Sequence, residues 1–218
     1  MNSTSSGFVG GDEATLDRQD RSRARSRRAR WRVVDVVVAA TLGVACGIVF
    51  IMWNTVGYAW FSALDALTPG FGGLAVGIWL IGGVIGALVI RKPGAAIMVE
   101  TVAASVSAAV GSQWGIETLY SGLAQGLGVE LVILVFRYRR FSLPVSCLAG
   151  VGAAVGAFVL ELFTSPNLAK SLEFNLIYLT CLALSGALLA GMLGYYVVQA
   201  LAKTGALDRF PAGREKRV

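Results

Sequence analysis

Residues 33–55 read VVDVVVAATLGVACGIVFIMWNT, a run in which Asp35 carries the only charge. At about 1.5 Å per helical residue it is long enough to cross roughly 30 Å of hydrocarbon. In lipid, every backbone N–H and C=O must find its partner inside the segment, so the run reads as a helix. Five more apolar segments follow, at residues 71–90, 94–110, 119–136, 143–163 and 174–201. None shows the period-two alternation of a barrel strand. The expected fold class is therefore all-α and integral to the membrane, a bundle of six transmembrane helices.

Composition agrees. Of 218 residues, 56% are hydrophobic and 15% charged, against about 25% charged in soluble domains. The length suits one domain. Glycine is abundant (27) and proline scarce (5), a mixture that fits helices packed closely in lipid. Histidine is absent, which removes the commonest general base and metal ligand. Cys46, Cys147 and Cys181 lie far apart in apolar runs and read as small core residues rather than a disulfide or metal framework.

Residues 1–30 differ from the rest. Ser, Gly and Thr give way to closely spaced arginines from Arg18 onward, a segment that cannot bury enough apolar area to fold. It reads as a disordered cytoplasmic tail ahead of a membrane domain at 31–202, with a basic C-terminal tail at 203–218. Arginines beside a first span set orientation, so nucleic acid is not an expected partner. The apolar run behind them is too long for a cleavable signal. Of the 19 basic residues, all but Lys170 fall in the two tails or in the second and fourth connections. With an even number of spans, that bias puts both termini in the cytoplasm.

Inside the membrane, Glu100 and Glu130 stand out, because carboxyls in apolar spans are costly and are functional suspects. Both lie about 10 Å from the basic side, and the third and fourth helices run antiparallel, which makes the two carboxyls candidate neighbours. A structural pair held by backbone or Gln125 is the alternative. Asp35 reads as an interfacial ion pair near Arg32, and Glu161, near the far side, as solvated. That far half concentrates aromatic and amide groups, among them Trp53, Asn54, Gln113, Trp114 and Tyr178, while Trp79 sits nearer mid-membrane. Such groups form interfacial belts, and with a few carboxyls they also suit a flat heteroaromatic ligand. Ala39, Gly43 and Gly47, four apart on the first helix, share one face that suits close packing within the chain or against a partner. No GxxxxGK[ST], HExxH or GxSxG motif occurs, so neither ATP hydrolysis by that loop nor enzyme chemistry is expected.

Four stretches resemble one family: Arg91-Lys-Pro-Gly-Ala-Ala96 leading to Glu100, Gly111-Ser-Gln-Trp-Gly115, Gln125-Gly-Leu-Gly-Val-Glu130 and Phe136-Arg-Tyr-Arg-Arg-Phe141. They are similar to the YkoE family, substrate-binding S components of energy-coupling factor (ECF) transporters associated with thiamin and its hydroxymethylpyrimidine precursor. The resemblance runs over about residues 31–200. It implies a subunit of a prokaryotic plasma membrane, without cofactor, docked through Ala39, Gly43 and Gly47 to a transmembrane coupling subunit that carries two cytoplasmic ATPases. It implies substrate contacts among Glu100, Glu130, Gln113, Trp114, Gln125, Trp53, Trp79 and Asn54. The competing reading is a stand-alone secondary transporter that uses the buried carboxyls as a proton relay.

Overall fold

A computed structural model describes residues 30–214. Residues 1–29, where most of the arginine-rich tail falls, and the basic residues Lys216 and Arg217 lie outside the described residues. The chain divides into Met1–Arg32 and Val33–Val218, and the second unit holds the helical bundle.

Among the described residues, six helices make the bundle: α1 Val33–Leu67, α2 Phe71–Ile90, α3 Ala95–Gly111, α4 Glu117–Val135, α5 Leu143–Thr164 and α6 Leu172–Lys203. A short helix, α7 Pro211–Arg214, closes the described chain. Five of the six are long and apolar enough to cross a membrane, and α3, with 17 residues, is a shorter apolar helix. The one large departure from the sequence reading is α1. It has 35 residues, about 52 Å of helix, and runs on past residue 55 to Leu67. The sequence reading ends this span at residue 55, but the Asn54 amide is used inside the bundle: Nδ2 donates to Ser107 Oγ and Oδ1 accepts from Trp79 Nε1, each at 2.9 Å. No breaker then occurs until Pro69-Gly70, where Gly70 takes φ +99° and its N–H donates to Asp65.

The hub is α2, in which every residue from Ile81 to Ile90 is buried. Its first half, Phe71–Leu80, is a ten-residue 3-10 helix, far beyond the usual three or four residues. This narrower coil fits because α6 comes very close. A Cβ on Gly77 would stand 2.4 Å from the Ser185 carbonyl oxygen, and the Gly77 N–H donates to Ser185 Oγ at 2.7 Å. Just beyond Ser185, α6 widens into a π-helical turn, Gly186–Met192, which packs on α5 and on the 3-10 half of α2.

The connections sort by charge. Arg91 and Lys92 join α2 to α3, and Arg137, Arg139 and Arg140 join α4 to α5, at what is here the basic end. Lys92 forms an ion pair with the buried Asp35 of α1. The Arg91 guanidinium lies 4.5 Å above the Phe141 ring and so links the two basic loops. The expected tail after α6 is in part folded: Leu207 and Phe210 are buried, and α7 packs on α2 and α6. The free cysteines are spread through the helices, Cys46 buried and the other two half-buried.

Candidate substrate-binding site

Polar residues recur on single faces of otherwise apolar helices. On α4, Glu117, Ser121 and Gln125 are four apart, and on α1, Phe50, Asn54 and Tyr58 follow the same spacing, so each set lines one side of its helix. These faces, with parts of α2, α3, α5 and α6, enclose a cavity of about 430 Å³. That is within the range of sites for small ligands.

Glu100 forms its floor. The side chain is fully buried and accepts a hydrogen bond from the Gly83 N–H. Gly83 stands in the first turn of the α-wound half, just after the change from 3-10 winding at Leu80–Ile81, where N–H groups take partners from outside the helix. A Cβ on the neighbouring Gly82 would stand 2.9 Å from Glu100 Oε2, so a side chain there would displace the carboxyl. Gln125 completes the floor. With its amide oxygen accepting from Ser121 Oγ at 2.6 Å, its nitrogen donates to Glu100 Oε1 at 3.2 Å and to the Trp79 carbonyl at 3.0 Å. That orientation alone matches donors to acceptors. Glu100 lies five residues into α3, about 8 Å from the basic end of that helix. The cavity also touches Asn167 and Lys170 in the opposite connection, so it is deep.

The walls are aromatic. Trp79 meets Trp114 edge-to-face at 5.4 Å and 87°, Trp114 meets Tyr58 at 5.7 Å and 81°, and Tyr58 stacks on Phe61 at 6.0 Å. Phe61 in turn touches Tyr178, which stacks on Phe174 at 5.9 Å. Perpendicular packing of this kind is favourable in itself and holds the rings without consuming both faces of each. Trp79 is further fixed by its hydrogen bond to Asn54.

Three comparisons bear on this arrangement. A family model described as the permease component of an ABC-type cobalt transport system matches residues 34–156. A solved structure, described as an S-component of an ECF transporter, superposes with a TM-score of 0.80 at 37% identity, covering 86% of this chain and 94% of that one. A Bacillus subtilis (strain 168) protein, provisionally named HMP/thiamine permease protein YkoE, is 39% identical over 189 residues, 85% of this chain and 92% of its own length.

The chain belongs to the YkoE family of ECF S components. It is a multi-pass plasma-membrane protein that binds a substrate and associates with ECF transporter subunits, and it is not an enzyme.

Within this S component, Glu100, Trp79, Trp114, Gln125 and Asn54 converge on the cavity. Three other residues singled out by sequence do not line it. Trp53 lies behind Trp79, 6.5 Å between ring centres, and its Nε1 donates to the Ala75 carbonyl at 2.9 Å. Gln113 is exposed in the turn between α3 and α4. Glu130 is turned toward the basic end: it accepts from the N–H groups of Gly94 (2.7 Å) and Ala96 (3.2 Å) and from the Tyr138 hydroxyl. A carboxylate there caps the first turn of α3 and suits its dipole. Burial and the nearby Glu130 carboxylate push the Tyr138 phenol above its ordinary range. Glu100 and Glu130 are therefore not partners of one another, although their helices are neighbours.

The small-residue face of α1 is also a correction. Ala39, Gly43 and Gly47 are buried against α3, where a Cβ on Gly43 would stand 2.5 Å from Val102 Cβ and one on Gly47 2.9 Å from the Ala103 carbonyl oxygen. The stripe lets two helices of this chain approach and is not presented outward for a partner. Sequence reasoning missed Ser107, Ser121 and Glu117 as cavity residues and took Glu161 as solvated, whereas it lines the cavity beside Tyr178. The four-residue polar spacing on α4 was the available signal.

Proposed function

We propose that this S component recognises an aminopyrimidine, either hydroxymethylpyrimidine or thiamin, in the cavity floored by Glu100. The observation that carries the reading is a buried carboxyl beside an oriented amide at the bottom of a cavity walled by tryptophan. A carboxyl can face the ring nitrogen and exocyclic amine of an aminopyrimidine with two parallel hydrogen bonds, and Trp79 and Trp114 supply flat surfaces for the ring. The name of the Bacillus relative agrees with that chemistry. The cobalt description of the family model fits less well: among the described residues, no three His, Cys, Asp or Glu side chains gather as a metal site.

The basic end faces the cytoplasm in this reading, with both termini there, and the cavity opens outward between the aromatic-rich connections. The chain binds no cofactor; a transmembrane coupling subunit and two ATPases supply the energy. A proton-relay transporter lacks support, since Glu130 is engaged in capping α3 rather than paired with Glu100. The test is heat stability of the purified protein with each ligand. At a hundredfold excess over Kd, binding adds about 2.7 kcal/mol, which raises Tm by about 5–10 °C for a chain of this size. No shift with either compound at micromolar concentration would overturn the reading.

A further inference from the structure

At the end of the cavity away from Glu100, one corner combines a carboxyl, two rings and an amine. Glu161 from α5 faces Tyr178, Phe174 stacks on Tyr178, and Lys170 from the connection before α6 sets its Nζ 3.8 Å above the Phe174 ring. All four line the cavity, and the Lys170 charge acts on Glu161. An acidic group beside aromatic faces is the chemistry that holds an organic cation. Here the cation in place belongs to the protein. Among the described residues that line the cavity, Lys170 is the only basic one, against three carboxyls, Glu100, Glu117 and Glu161. It is exposed on a flexible four-carbon stem, so its ammonium can move into solvent at little cost.

We propose that Lys170 is a resident counter-ion of the corner formed by Glu161, Phe174 and Tyr178, and that the positive charge of a two-part ligand displaces it. The floor then recognises the aminopyrimidine and the corner selects ligands with a second, cationic group over the neutral pyrimidine alone. Lys170 opposes cationic ligands and Glu161 favours them, so the two residues tune the same preference in opposite directions. This inference rests on the aminopyrimidine reading of the cavity.

The experiment measures calorimetric affinities of thiamin and hydroxymethylpyrimidine for the purified full-length chain, and compares their ratio between variants. Lys170→Met raises the preference for thiamin at least threefold, and Lys170→Arg, which keeps the charge, leaves it as in the wild type. Glu161→Gln lowers that preference about tenfold. A ratio within twofold of wild type in either Lys170→Met or Glu161→Gln overturns the inference, while leaving the reading of the floor intact. Lys170 is exposed and its substitution does not threaten folding, so that arm decides even where Glu161→Gln is poorly stable. If neither compound binds the wild-type chain, the aminopyrimidine reading fails and this inference falls with it.

Discussion

Glu130→Ala removes a carboxylate that accepts from two N–H groups, those of Gly94 and Ala96, and from the Tyr138 hydroxyl. Orphaning a buried donor costs about 1–3 kcal/mol, and losing negative charge at a helix N-terminus adds about 0.3–1 kcal/mol. Gly94 and Tyr138 are half-buried, so water replaces part of what is lost, and the total falls near 2–3 kcal/mol. For a chain of this length that lowers Tm by about 4–12 °C. The cavity contains no atom of Glu130, so the affinity for hydroxymethylpyrimidine or thiamin stays within about twofold, below 0.5 kcal/mol. Differential scanning fluorimetry and calorimetric titration on the same preparation read both quantities. A tenfold loss of affinity with Tm unchanged would refute the assignment of Glu130 to structure.

Two more outcomes follow from the packing. Gly43→Val drives a branched side chain into Val102, which already lies within 2.6 Å of where a Cβ would sit; overpacking of this kind costs about 1–3 kcal/mol, seen as a lower Tm of the isolated subunit. A variant with normal Tm that fails only to assemble with its coupling subunit would return the stripe to a docking role. Asn54→Ala frees Trp79 and leaves Ser107 without its amide partner. It weakens ligand binding about tenfold in titration, and equal affinity would show that Trp79 is held by packing alone.

Helix count and fold were legible because the membrane imposes length and apolarity on each span, and α2 begins and ends at Phe71 and Ile90 as its hydropathy indicates. The extension of α1 to Leu67 was not, because the unbroken apolar run stops at Asn54-Thr55 and the partners that Asn54 finds on α2 and α3 are invisible in sequence. The same blindness to partners affected the acidic residues. Glu100 and Glu130 have similar depth and surroundings in sequence, and only their backbone donors, the Gly83 N–H of α2 for one and the N–H of the left-handed Gly94 for the other, separate a cavity floor from a helix cap. The stripe at Ala39, Gly43 and Gly47 was read correctly as a close-approach surface, but spacing does not say which helix approaches. Lys170 was visible as the one basic residue off the basic end, yet its place over Phe174 depends on the turn from Pro166 to Ala169.

The proposed function sets the ligand against Glu100 at the floor of the cavity. Its most direct test is the affinity of hydroxymethylpyrimidine for wild-type protein and for Glu100→Gln. The isosteric amide keeps an acceptor for the Gly83 N–H but presents a donor where the carboxyl would meet the aminopyrimidine, and a charge-assisted hydrogen bond is worth about 1.5–3 kcal/mol. Affinity falls about ten- to a hundredfold with the protein still folded, and unchanged affinity in a folded Glu100→Gln protein removes Glu100 from ligand recognition.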